Sequence, residues 1–232
     1  IDDLSGDREE IGAALRRIRQ EQIVLLGWRD LVGAAPLSEV VETLSTLADA
    51  AIGAALKCAH LELVNRFGQP IGENSGKPVQ LTVLGLGKLG GRELNMSSDV
   101  DLVFAYRENG STDGTQSISN HEFFIKLGQA LIDILQTPTA AGLVFRVDMR
   151  LRPNGDSGPL ALSFDAIDHY FLTHGREWER YALIKARPVA GDIASGLELL
   201  GNLRPFVYRK YLDFGAFESI RSMKTLIDRE LA

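Results

Sequence analysis

Ser97-Ser-Asp-Val-Asp-Leu-Val-Phe104 is the stretch on which the fold turns. In an extended strand alternate side chains share a face. Asp99 and Asp101 then lie on one face, and Val100, Leu102, Phe104 and Tyr106 line the other, toward a core. Two neighbouring carboxylates repel each other, so a fold keeps them when they are solvated, protonated or bridged by a cation. Paired hard oxygen donors suit Mg²⁺, which takes phosphate oxygens as readily as protein ones.

Downstream, Leu143-Val-Phe-Arg-Val-Asp-Met-Arg-Leu-Arg152 repeats the pattern. Leu143, Phe145, Val147, Met149 and Leu151 alternate with Arg146, Asp148, Arg150 and Arg152, which predicts a strand from Leu143 to about Leu151. If it neighbours the first strand, Asp148 completes a three-carboxylate cluster, and the arginines stand where an anionic ligand needs them. Upstream, Val79 to Leu86 reads as a further strand, joined to Val100–Tyr106 through the Gly-rich segment Gly85 to Asn95. Gly85-Leu-Gly-Lys-Leu-Gly90 matches G-x-G-x-x-G, but the acidic pair arrives too early for a dinucleotide-binding unit. Its glycines would instead let backbone amides approach a phosphate. Gly72-Glu-Asn-Ser-Gly-Lys77 is one residue short of a P-loop, and Pro78 stands where Ser or Thr is required.

Helical periodicity occupies both flanks. Ile11, Leu15, Ile18, Leu25 and Trp28 trace a stripe over Asp7–Val32, and Pro36 ends it. Val40, Leu44, Leu47, Ala51, Ala55 and Leu63 trace a second over Leu37–Phe67; core packing between helices is the expected role of both. Ser119 and Glu122 mark a capping box opening a helix to Gln136. Later helices are expected over Phe164–Leu172, Arg176–Ala186, Ile193–Leu203 and Phe214–Leu231. Arg176, Arg180 and Lys185, among Trp178, Tyr181 and Ile184, form either a solvated basic face or contacts to a nucleotide. The turn-rich Gly68–Pro78 connector places a boundary, giving an N-terminal helical region (1–76), a core (77–160) and a C-terminal helical region (161–232). The fold class is α+β, a small mixed sheet with flanking helical segments.

The 232 residues carry 25 Lys+Arg against 31 Asp+Glu, a net charge of −6 that argues against a dedicated nucleic-acid binder. The single cysteine, Cys58, excludes an internal disulfide and a thiolate zinc site, and points to a reducing compartment. His60, His121, His169 and His174 lack ligand spacing. No signal peptide or membrane-spanning run is read. The chain opens on Ile1 rather than Met, so a piece of a longer protein is expected.

Gly90-Gly91 followed by Asp99-Val-Asp101, with a third acidic strand, resembles the nucleotidyltransferase superfamily of the polymerase-beta type. The longer wording resembles the bacterial glutamine synthetase adenylyltransferase family: Gly87-Lys-Leu-Gly-Gly-Arg-Glu-Leu-Asn95, Ser97 to Phe104, Phe145-Arg-Val-Asp-Met-Arg-Leu-Arg-Pro153 and Gly175-Arg-Glu-Trp-Glu-Arg-Tyr-Ala182. Members carry two related nucleotidyltransferase domains, one attaching AMP to a tyrosine of glutamine synthetase and one removing it. Asp148-Met-Arg-Leu-Arg-Pro-Asn-Gly-Asp-Ser-Gly-Pro159 and the Arg-Glu-Trp-Glu-Arg-Tyr segment look like the N-terminal, adenylyl-removing half.

That resemblance implies a phosphorolysis in which inorganic phosphate attacks the AMP-tyrosine bond and ADP leaves. It implies Asp99, Asp101 and Asp148 as the catalytic residues and as ligands of Mg²⁺, or of Mn²⁺ in its place. Gly90, Gly91, Ser98, Arg150, Arg152 and Lys185 are the candidate nucleotide and phosphate contacts. Adenylylated glutamine synthetase, phosphate, ADP or ATP, and a PII signalling protein acting through the longer enzyme are the implied partners, without nucleic acid or membrane, in a bacterial cytoplasm. ATP-dependent adenylylation and a non-catalytic regulatory module stand as the alternatives.

Overall fold

A computed structural model of the chain describes residues 6–208 together with 218, 221–225 and 229. The helix expected over Phe214–Leu231 lies largely outside the described residues. The first helix, α1 (Arg8–Leu31), starts at Asp7, whose side chain accepts from the amides of Glu9 and Glu10 at 2.9 and 3.0 Å. Glu10 answers by accepting from the Asp7 amide, which completes a capping box. Pro36 N-caps α2 (Leu37–Phe67), whose buried line Leu44, Ala48, Ala51, Ile52, Ala55 and Ala59 is mostly alanine. Such a smooth face lets α2 lie close against α4 (Asn120–Gln136).

The sheet is built on β2 (Leu81–Gly85) and β3 (Val100–Tyr106), antiparallel, with Val83 opposite Phe104. The short α3 (Gly87–Gly90) follows β2. On its other edge β2 pairs antiparallel with β7 (Arg187–Gly191). The free edge of β3 takes two short parallel strands in succession: β5 (Val147–Asp148) beside Val100–Asp101, and β6 (Ala161–Ser163) beside Phe104–Tyr106. A separate two-stranded ribbon joins β1 (Pro70–Gly72) to β4 (Gly110–Thr112).

The period of two in β3 separates two apolar clusters, one on each face. Val100, Leu102, Phe104 and Tyr106 pack with Phe123, Phe124, Leu127 and Leu131 of α4 and with α2. Val103 and Ala105 face the other way, among Phe164, Ile167 and Phe171 of α5 (Phe164–Thr173) and Leu199 and Leu203 of α7 (Ile193–Val207). Helices thus cover both faces, and the α+β class stands. The α2 helix of the first expected region packs on α4 and β7, and β7 of the third lies inside the central sheet.

Three expectations need correction. The strand predicted over Leu143–Leu151 is only Val147–Asp148. Its continuation would run beside Phe104–Tyr106, and β6 already holds that edge. The helix predicted over Arg176–Ala186 is shorter, α6 (Glu177–Leu183), and Arg187–Gly191 behind it is a strand the periodicity missed. In α1, Leu25 and Trp28 are not core residues. They are exposed with Val24 and Leu31, at 51, 66, 72 and 85% respectively, and the stripe is buried only at Ile11, Leu15 and Leu26. Among the described residues no helix is long and apolar enough to cross a membrane.

Candidate active site

Asp101 and Asp148 are direct partners in the β3–β5 register, on adjacent parallel strands. Neighbouring strands lie about 4.8 Å apart, and side chains at matched positions share a face. The two carboxylates therefore stand side by side where β5 ends. Their surroundings push them apart in acidity. Burial, then the like charges of Asp148 and Asp99, raise Asp101 above the ordinary carboxylate range; Arg150 and Lys88 offset this only in part. Arg150 lowers Asp148, its guanidinium donating to both carboxylate oxygens (Nε–Oδ1 3.1 Å, Nη2–Oδ2 2.6 Å) and its amide to Oδ1 at 2.8 Å. Two carboxylates whose acidities one site pushes apart are a frequent mark of catalytic chemistry.

The glycine turn after β2 presses on this pair. Gly87 has a φ of +53°, and a Cβ there would overlap the Asp101 carboxylate. Only glycine combines that backbone with that approach. The Leu86 amide donates to the Asp101 carbonyl at 2.9 Å and fixes the turn to β3. Arg187, the first residue of β7, donates to the Leu89 carbonyl at 3.0 Å while gripping Asp49 of α2 with two bonds of 2.8 and 2.9 Å. The turn is therefore braced from three elements. The sequence marks Gly87 only as one glycine of G-x-G-x-x-G and does not mark Arg187; the oxygen approach at Gly87 is legible only once β3 is beside it.

The structure distributes the other expected residues unevenly. Asp99 precedes β3, is 45% exposed and is paired with Arg146, which also donates to the Ser97 carbonyl at 2.9 Å. Ser98 donates its hydroxyl to Asn95 Oδ1 at 2.6 Å. Gly90, Gly91 and Lys185 do come together: a Cβ at Gly90 would overlap the Lys185 carbonyl, and one at Gly91 would crowd the Lys185 side chain. The amides of Gly90 and Gly91 are already used, donating to Leu86 and Gly87 carbonyls at 2.8 and 3.1 Å. Here these glycines supply close packing rather than free amides. The Lys185 ammonium is paired with Glu93.

Arg152 is turned inward. Its largely buried guanidinium donates from Nη1 to the Met149 carbonyl at 2.7 Å and from Nε to the Gly158 carbonyl at 3.3 Å, which commits those two donors to the loop that leaves β5. The α6 basic face is likewise interrupted, since Arg180 is buried and donates to the Phe206 carbonyl at 2.6 Å.

Among the described residues no three His, Cys, Asp or Glu side chains assemble into one metal-binding group. Asp101 and Asp148 alone do fit a hard cation. Mg²⁺ is commonly held by one or two carboxylates, with water and substrate phosphate completing the shell. A cation between them would relieve the repulsion that raises Asp101. Asp99 is close enough to Asp101 to add to that repulsion, and its release from Arg146 would supply a third ligand.

A family model described as glutamate-ammonia ligase adenylyltransferase matches residues 2–201. The chain is 56% identical over 223 residues to a bifunctional glutamine synthetase adenylyltransferase/adenylyl-removing enzyme of Nitrosococcus oceani, covering 96% of this chain and 23% of that protein. It is 54% identical to the enzyme of the same description from Pseudomonas aeruginosa, over 97% of this chain and 23% of that protein. For the Shewanella loihica enzyme the figures are 48%, 98% and 24%. The chain thus spans about a quarter of the length of the relatives it matches, and it belongs to the glutamate-ammonia ligase adenylyltransferase family.

Proposed function

We propose that this chain carries the adenylyl-removing activity, a metal-dependent phosphorolysis of the AMP-tyrosine bond of glutamine synthetase. The in-register pair Asp101 and Asp148, with Gly87 packed against it, is the observation that carries the proposal. The descriptions of the relatives name both adenylylation and its reversal. The wording Asp148-Met-Arg-Leu-Arg-Pro and Arg176-Glu-Trp-Glu-Arg-Tyr favours removal.

The reaction exchanges one oxygen for another at phosphorus. An oxygen of inorganic phosphate bonds to the α-phosphorus of tyrosyl-AMP, and the bond from that phosphorus to the tyrosine oxygen breaks. The tyrosine oxygen takes the electron pair and then a proton, leaving ADP and free tyrosine. Bound Mg²⁺ would supply charge neutralisation for two anions that must meet. Asp101 and Asp148 would hold it, with Asp99 once released from Arg146. Arg150, now closing Asp148 and otherwise largely exposed, is the guanidinium available to an incoming anion. No general base is required, because phosphate arrives as an anion. In the longer enzyme a PII signalling protein would set how often this site is used, in the bacterial cytoplasm.

The test mixes the chain with adenylylated glutamine synthetase, Mg²⁺ and phosphate and follows ADP. Phosphate-dependent ADP, reduced at least about 100-fold by Asp101→Asn, is the expected result. ATP-dependent labelling of unmodified glutamine synthetase by the chain would assign the opposite direction. Nucleotide binding without turnover of either kind would favour a regulatory module.

A further inference from the structure

Next to the Arg146–Asp99 pair lies a cavity of about 390 Å³, formed where α1 meets the turn before β3 and the segment before β5. Arg19, Met96, Ser97, Ser98, Gly142 and Arg146 are among its walls. Its lining holds two guanidiniums and two serine hydroxyls and no carboxylate. Asp99 balances Arg146 from beyond the lining, while among the described residues Arg19 has no ion pair. The Arg19 Nε is buried without a hydrogen-bond partner, and Nη2 reaches only the Met96 carbonyl at 3.5 Å. The rest of its guanidinium lies over the Phe145 ring at 5.2 Å.

A half-buried guanidinium whose shielded Nε is unused, set near a second cation, gains when an anion joins it. Burial, and then Arg146, lower the Arg19 pKa from its ordinary value, which reports the same tension. The walls are organised to keep the space open. Gln20 donates to the Ala141 carbonyl at 2.6 Å, tying α1 to the far wall, and Arg146 donates to the Ser97 carbonyl at 2.9 Å across the near one. The volume admits a tetrahedral oxyanion with several waters, at roughly 30 Å³ of liquid per water. The Phe145 ring is covered by Arg19, and the lining offers no aromatic face for a base. The chemistry matches a small phosphate rather than a whole nucleotide.

We propose that this cavity is an inorganic-phosphate site, with Arg19 and Arg146 as the clamping cations; Ser97 and Ser98 line it, their hydroxyls donating to Asn95 Oδ1 at 3.3 and 2.6 Å. It is placed to supply the attacking phosphate of the proposed phosphorolysis. Arg146 is the link, since it lines the cavity and touches Asp99. Arg19 is supplied from α1, 77 residues before Met96, so the N-terminal helix would contribute a ligand contact as well as packing. The role as attacking phosphate rests on the phosphorolytic reading; phosphate binding itself does not.

The experiment titrates inorganic phosphate into the chain by calorimetry, and measures the phosphate dependence of ADP release, for the native sequence, Arg19→Gln and Arg19→Lys. Losing a charged hydrogen-bonding partner should weaken phosphate binding about 10- to 100-fold in Arg19→Gln and raise the KM for phosphate by a similar factor. The KM for adenylylated glutamine synthetase should stay unchanged. Arg19→Lys, which keeps the charge but not the fork of donors, should recover part of the binding, as a general loosening of the fold would not. Unchanged phosphate affinity in Arg19→Gln would overturn the site. So would Arg19→Gln weakening AMP but not phosphate, because the cavity would then seat the nucleotide's phosphate. Arg19-dependent phosphate binding without any ADP release would support the site and count against the phosphorolytic reading. ADP release with an unaltered KM for phosphate would do the reverse.

Discussion

At the scale of single residues, the site pushes its two carboxylates in opposite directions, Asp101 up and Asp148 down. Asp101 is raised by burial and by two like charges, so the folded chain keeps its proton more tightly than the unfolded chain does. Its contribution to stability is full below the unfolded carboxylate value and is lost as pH rises through the folded one. In metal-free buffer at neutral pH, Asp101→Asn should therefore be more stable than the native chain by about 1 kcal/mol, though catalytically dead. Denaturation with urea from pH 4 to 7 checks this, since the variant should lack that fall with rising pH. Gly87→Ala should do harm of another kind. It puts a side chain at positive φ against Asp101, at a cost of about 1–3 kcal/mol, and displaces the carboxylate. Thermal unfolding and ADP release should both register it. Asp99 and Asp101 were legible because the strand's period of two is local. Arg152 was not. The chain leaves the sheet after Asp148 and turns at once, the Arg152 amide donating to the Met149 carbonyl at 3.2 Å, which ends the alternation that had placed Arg152 beside Asp148.

At the scale of elements, the glycine turn owes its position to a brace between α2 and β7. Asp49 and Arg187 are mostly shielded from solvent, each 19% exposed, and Arg187 also holds the Leu89 carbonyl. Removing one partner strands the other charge, so Arg187→Gln should cost about 2–3 kcal/mol in urea unfolding. Arg187→Lys should recover little, because a lysine cannot make the paired bonds. The long helices α1, α2 and α4 were readable from apolar spacing and caps: α2 begins and ends where the pattern predicts, and Ser119 caps α4. The sequence concealed β6 and β7. Each is short, and Arg187-Pro-Val-Ala-Gly191 has too few alternations to declare a strand before β2 lies beside it.

At the scale of the whole molecule, the sheet divides two apolar clusters, and the carboxylates emerge at its β5 edge where neither cluster covers them fully. The exposed apolar side of α1, including Val24, Trp28 and Leu31, was invisible to periodicity, which finds a stripe but not what it faces. A site on a sheet edge suits the proposed transfer between a small anion and a large protein substrate. The most direct measurement uses isotopically labelled inorganic phosphate with the chain, Mg²⁺ and adenylylated glutamine synthetase. Label recovered in the β-phosphate of ADP, and lost with Asp101→Asn, is the predicted result. Release of unlabelled AMP would show that water attacks instead, and the phosphorolytic assignment would fall.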